Sequence, residues 1–115
     1  MLVITRRAGE AVIVDARHAT AKITVVGISR GVVAITLSGE GGLTFNTGGL
    51  GEVTTPLAFI RLNIDQCVDV TLKDGSVFRA IIVRVNARDV RIALDADQDV
   101  RFFREDAPCA TAVEA

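Results

Sequence analysis

Met1-Leu2-Val3-Ile4-Thr5-Arg6-Arg7-Ala8-Gly9-Glu10 opens the chain with apolar and β-branched residues that run into two arginines and a glycine. An apolar and β-branched run of this length, closed by a glycine, reads as a strand rather than a helix. Neighbouring side chains on a strand point to opposite faces, so Arg6 and Arg7 cannot both face a core. One of them, and on this reading both, puts its guanidinium into solvent at the strand's end. Two interpretations follow. The arginines are solvated charges that discourage edge-to-edge pairing, or they form a cationic grip for an anionic ligand.

Working outward, strand-like runs repeat along the whole chain. Residues 10–14 form a second strand, followed by a loop around His18. Residues 22–26 form a third. Residues 27–31 read as a tight turn with a glycine at each end, and 32–37 as a fourth strand. Ser38-Gly-Glu-Gly-Gly42 breaks the chain before a short fifth strand at 43–46. Residues 48–56, rich in glycine and ended by Pro56, form the expected linker. Strands resume at 57–61 and 67–72. Lys73-Asp-Gly-Ser76 is a hairpin turn in which Asp74-Gly75 suits positive φ. Residues 77–85, 90–94 and 100–104 complete the set, with turns at 86–89 and an acidic stretch at 95–99. The remainder is small and polar apart from Val113, and Pro108 permits at most a short helix there.

Composition supports the pattern. Of the 115 residues, 50% are hydrophobic and only 4% aromatic, with Val and Ile heavily used, which favours β structure. The length suits one domain or two very small units sharing a core. The 13 basic residues are outweighed by 14 acidic ones, for a net charge of −1. A general polyanion binder is basic throughout, so a nucleic-acid site here has to be local. No apolar run is long enough for a helix to span a bilayer and the N-terminus does not resemble a signal peptide, so the expected compartment is the cytoplasm.

The chemistry of a catalyst is missing. Cys67 and Cys109 lack metal-ligand spacing, and His18 is the sole histidine, which disfavours structural zinc and leaves both cysteines as thiols. A Ser-His-Asp or Cys-His set would require His18, whose polar, small-residue surroundings mark a loop. No phosphate-cradling glycine loop or paired carboxylates stand out. The expectation is a protein that is not an enzyme and needs no cofactor.

The two halves match each other. Val33, Ile35 and Leu37 fall on Val90, Ile92 and Leu94. Leu43 and Phe45 fall on Val100 and Phe102, while Ile4 and Val14 register with Ile60 and Val70. Such a period suggests duplication of one five-stranded unit. A unit that small cannot bury a core alone, so the halves are expected to pack together. The expected units are 1–47 and 57–106, joined by the 48–56 linker and followed by a tail at 107–115.

The opening Thr5-Arg6-Arg7-Ala8-Gly9-Glu10, with Asn86-Ala-Arg-Asp-Val-Arg-Ile-Ala-Leu94 and Asp99-Val-Arg-Phe-Phe-Arg-Glu-Asp106, resembles the carbon storage regulator family of bacterial post-transcriptional regulators. Val26-Gly-Ile28 also resembles that family's third strand. Members are homodimers of five-stranded subunits that exchange strands. Each dimer carries two sites for GGA-containing loops and leaders of messenger RNA. The resemblance implies an all-β fold in which both units lie in one polypeptide, a monomeric strand-exchanged pseudo-dimer. It implies one RNA site where the first strand lies beside the last: Ile4, Thr5, Arg6, Arg7, Val100, Phe102, Arg104 and Glu105. At the other site Leu62, Asn63 and Thr47 replace Arg6, Arg7 and Arg104, so that site has lapsed.

The chain departs from the family at its end, where the C-terminal helix is expected to be short or absent. Asp95, Asp97 and Asp99 place acid before the last strand, which weakens RNA binding. Of Phe102 and Phe103, alternation sends one to the core. Arg101 widens the basic patch or is simply solvated. The expected function is therefore mRNA binding in translational regulation, with a regulatory protein or small RNA as a further partner. The alternative is a degenerate member acting as a protein-interaction module or antagonist.

Overall fold

The computed structural model describes residues 1–47, 53–97 and 99–105. These are all-β, without a helix. The strands are β1 (Leu2–Arg7), β2 (Ala11–Asp15), β3 (Thr20–Ser29), β4 (Val32–Asn46), β5 (Val53–Leu62), β6 (Cys67–Leu72), β7 (Val77–Val85), β8 (Asp89–Ala96) and β9 (Arg101–Glu105). They form one antiparallel sheet in the order β1-β8-β7-β6-β4-β3-β2-β9, with β5 on β4 off that path. The sheet curls, so one face of every strand is core. Ile23 and Val25, Val33, Ile35 and Leu37, Val68 and Val70, and Ile92 and Leu94 alternate inward and are almost fully buried. This is the period of two that the β-branched runs impose.

Residues matched between the two halves stand at corresponding places in the ladders. Ile35 lies opposite Ile60 on β4–β5, as Ile92 lies opposite Ile4 on β8–β1. Val14 lies opposite Phe102, as Val70 lies opposite Phe45. The register of β3–β4 shifts between Val25 and Gly27, and that of β7–β8 between Ile82 and Arg84. The residues left over, Val26 and Val83, are 48% and 43% exposed, each pushed out by a bulge at the same place in its half.

The turn after the first strand of each half also repeats. The Gly9 N–H donates to Val25 O at 2.7 Å and the Asp65 N–H to Ile82 O at 2.7 Å. The Arg7 N–H donates to Glu10 Oε1 and the Asn63 N–H to Gln66 Oε1, both at 2.8 Å. The turn requires a left-handed residue, supplied by Gly9 at φ 91° and by Asp65 at φ 69°. Nothing lies within 4 Å of a Cβ built on Gly9, so the obstacle to a side chain is conformational alone. Gly9→Ala should cost about 1–2 kcal/mol, read as a lowered denaturant midpoint. Gly9→Asp, which copies the other half, should cost less.

Several expectations need correcting. The glycines at 39–42 do not end a strand. Gly41 and Gly42 take φ 80° and 92°, and β4 runs through them with a register shift between Ser38 and Leu43. The fourth and fifth strands of the first half are thus one element. In the second half the acidic stretch does separate β8 from β9. The turn expected at 27–31 is confined to Arg30 and Gly31, both at positive φ, because Gly27 serves the bulge instead.

Part of the expected linker is strand: Val53 opposes Phe45 and Thr55 opposes Leu43, so β5 begins before Pro56. Pro56 falls at the register shift, where no ladder bond is demanded of its missing N–H. The last strand runs Arg101–Glu105 rather than 100–104. The rest of the expected linker, residues 48–52, lies outside the described residues. So do the tail, its short or absent helix and Cys109.

The connections of the two halves are tied across the molecule. Arg17 pairs with Asp99 at 3.1 Å and Lys73 with Glu40 at 3.7 Å. The Asp74 carboxylate accepts the Ser76 N–H at 2.9 Å and the His18 N–H at 3.0 Å. These backbone donors, Ser76 first, hold its pKa below the ordinary carboxylate value. A folded pKa depressed in this way contributes stability that is present above the unfolded pKa and is lost as pH falls through the folded one. Asp74→Asn should therefore destabilise the protein at neutral pH. The gap from wild type should close as melts are taken to pH values below the carboxylate range.

Candidate nucleic-acid interface

β1 is positioned by its ladder to β8, with Ile4 opposite Ile92, Thr5 opposite Arg91, Arg6 opposite Val90 and Arg7 opposite Asp89. β9 is positioned by β2, with Phe102 opposite Val14, Phe103 opposite Ile13, Arg104 opposite Val12 and Glu105 opposite Ala11. The first and last strands are therefore not ladder partners, as the sequence reading had them. They stand at the two ends of the strand order, and the short turn at residues 8–10 joins β1 to the strand that holds β9.

Alternation sorts the candidate residues by face. Ile4 is buried in the core, and Val100, just before β9, is 8% exposed. Neither offers surface. Phe102 also points inward, packing edge-to-face on Phe78 with ring centroids 6.0 Å apart. Phe103 takes the outer side, half-buried opposite Ile13. Arg104 shares the side of Phe102 but is exposed at the strand's end, and Arg101 is exposed opposite Asp15. Thr5 and Arg7 are exposed on the outer side of β1.

Arg6 departs most from expectation. It shares the inner side of Ile4 and is 5% exposed. Its Nε donates to Thr5 O at 2.8 Å and its Nη1 reaches Ala11 O at 3.4 Å. Glu10 Oε1 lies 3.8 Å from Arg6 Nε while accepting the Arg7 N–H. A buried charge needs such partners. The contact to Ala11 O ties β1 to the rung that carries Glu105, and the next rung carries Arg104. Arg6 is thus withdrawn from solvent with its bonds bridging the strand ends, and of the three arginines expected at the site Arg7 and Arg104 are the exposed ones. Glu105 is exposed and engaged by Lys22, Nζ to Oε1 2.5 Å.

Sequence reasoning missed the parts played by Glu10 and Lys22. The signal for Glu10 was present: Gln66 occupies the same place in the other half and makes the same backbone contact. Lys22 carried no signal, because its partner lies across the β2–β9 pairing.

The equivalent corner of the other half is built alike but has no arginine at the places of Arg6, Arg7 and Arg104; its Arg61 stands where Thr5 stands, 5.6 Å from the centre of the Phe59 ring. Leu62 is buried opposite Val33, as Arg6 is opposite Val90. Asn63 stands where Arg7 stands, and Thr47 follows the end of β4. Among the described residues no group of His, Cys, Asp and Glu side chains is placed to hold a metal ion, and no helix is long and apolar enough to cross a membrane. The chain matches no family model, no curated protein and no solved structure.

Proposed function

We propose that this protein is a sequence-specific mRNA-binding translational regulator, a single-chain, strand-exchanged pseudo-dimer resembling the carbon storage regulators. In this reading it has one working site, at the corner where β1 turns into β2 and β9 joins it. Each half lends its first strand to the other half's fourth, and its second to the other's fifth. The observation that carries the reading is the contrast between two equivalent corners. Turn, ladder and register repeat, yet Arg6, Arg7 and Arg104 occur at one and Leu62, Asn63 and Thr47 at the other. The fold does not demand arginine at the exposed places of Arg7 and Arg104, so those two answer to something outside it.

The chemistry fits an unpaired GGA loop. Arginine presents a planar fork of donors to the O6 and N7 edge of guanine or to phosphate, and single-stranded loops leave those edges open. In this account Arg7 and Arg104 contact the RNA, with Thr5 between the strand backbone and the loop. Ile4, Val100 and Phe102 form the packed floor, and Arg6 and Glu105 are positioning residues. A gel shift with a GGA hairpin tests this: Arg104→Ala should weaken the complex, and Thr47→Ala, at the lapsed corner, should not. Equal affinity for a hairpin with a scrambled loop would refute the reading.

A second reading has an observation of its own. β5 stands where β1 stands, and its outer face shows Leu57 at 62% and Phe59 at 57% exposure. Apolar surface of that kind suits a protein partner better than RNA. In that case the protein is an interaction module or antagonist, and Phe59→Ser, rather than Arg104→Ala, is the variant that loses its partner.

A further inference from the structure

The outer face of β1, β8 and β7 carries three arginines that the corner site does not use, Arg84, Arg88 and Arg91, beside Arg7, which it does. Residues opposite one another across antiparallel strands share a face. Thr5 lies opposite Arg91, and Arg91 opposite Arg84. Arg7 lies two residues from Thr5, so it is on the same side, and Arg88 sits in the turn joining β7 to β8. All four arginines are exposed. Two interstrand steps of about 4.8 Å separate β1 from β7, so the guanidiniums lie within one continuous surface.

Three observations show that the fold has no use for this charge. Arg84 and Arg91 are placed directly opposite each other, and like charges so placed destabilise a sheet. Among the described residues none of Arg7, Arg84, Arg88 and Arg91 makes an ion pair. Asp89, which lies opposite Arg7, accepts from Asn86 at 3.0 Å, and Asp95 lies farther along the strand, opposite Arg79. Finally, the other half is an internal control. Gly27, Gly31 and Ala34 take the places of Arg84, Arg88 and Arg91 there. The ladder forms equally well without them.

We infer that the outward face of β1, β8 and β7 is a phosphate track, on which Arg7, Arg84, Arg88 and Arg91 hold the single-stranded backbone flanking an RNA loop. The inference rests on the RNA reading above and extends it. Arg7 belongs to both surfaces, so a strand leaving the corner passes directly onto the track. The protein is weakly acidic overall, at net −1, so this face stands out as a local positive field that steers polyanions. Exposed guanidiniums in a row, with no aromatic side chain among them and the valines Val3 and Val83 beside them, suit a backbone of repeated charge better than a protein interface.

The test compares wild type with Arg84→Gln/Arg91→Gln on a GGA hairpin, with and without an unpaired uridine flank, across a salt series. The flank should tighten wild-type binding. The variant should lose about tenfold in affinity for the flanked RNA and about 1.4 in the slope of log affinity against log salt. Its preference for GGA over a scrambled loop should be unchanged.

If the variant keeps affinity and slope while wild type still selects GGA, the track is refuted and the corner site stands. That result would point to an acidic protein on this face. If wild type binds the flank without preferring GGA and the variant loses that binding, the track stands and the corner reading falls. If wild type binds neither RNA, both fall. Arg88→Gln/Arg91→Gln repeats the test should Arg84→Gln disturb the adjacent bulge, with melting curves confirming that each variant is folded.

Discussion

Arg7→Ala/Arg104→Ala is expected to lose at least a hundredfold in affinity for a GGA hairpin while melting at the wild-type temperature. Both side chains are exposed, on opposite sides of the corner, and neither packs into the core. A hydrogen bond from a charged donor to RNA is worth about 1.5–3 kcal/mol, and a bidentate pair to guanine about 1–3 kcal/mol. Two such losses come to about 3 kcal/mol or more, roughly a factor of a hundred. Arg104 stands opposite Val12, which is almost fully buried and so holds the strand end in place. The backbone that carries Arg104 is therefore fixed, and loss of the side chain should appear mainly in the dissociation rate. Arg7 also lies on the phosphate track, so the double variant should show a shallower salt slope as well as a weaker complex.

The second large effect concerns stability rather than affinity. Arg6→Ala should cost about 2–3 kcal/mol. It empties a buried position, strips the Thr5 and Ala11 carbonyls of a charged donor, and leaves Glu10 without its cation. Arg6→Leu should cost far less, because the other half already holds Leu62 at that place, 2% exposed and opposite Val33. Replacing a buried ion pair with a packed apolar side chain is often neutral or stabilising. Chemical denaturation of the pair of variants separates packing from charge. If the two lose equal stability, the guanidinium's bonds hold the corner. If Arg6→Leu matches wild type, they do not. RNA affinity of Arg6→Leu gives a further readout: a positioning residue should cost less there than Arg104 does.

Much of this was legible in the chain itself. The alternation of β-branched residues at 32–37, 67–72 and 90–94 can bury only one side, so strands and core emerged together. Val33, Ile35 and Leu37, matched in the sequence with Val90, Ile92 and Leu94, occupy corresponding places on β4 and β8. What escaped were features set by the partner strand. Gly41 and Gly42 read as chain breakers, but a left-handed glycine pair also serves a bulge, and β4 continues because β5 and β6 take up its far end. Gly27 looked like half of a turn for the same reason.

The candidate site was legible as a set of residues but not as a geometry. Arg6 was expected in solvent, since a lone guanidinium is costly to bury. Its burial depends on the Ala11 carbonyl and on Glu10, which only the folded turn brings round. That β9 pairs with β2 and not with β1 is a topological fact, and local sequence does not encode it. The track was equally hidden. Arg84 and Arg91 are separated by a turn, and only the register shift after Ile82 places them face to face.

The most direct test of the account is the stoichiometry of binding, measured calorimetrically with the full chain and a short GGA hairpin. A molecule with one arginine-bearing corner and one lapsed corner should saturate at one hairpin per chain, and Arg7→Ala/Arg104→Ala should abolish that single event. Two equivalent hairpins per chain, or undiminished binding by the double variant, would contradict it.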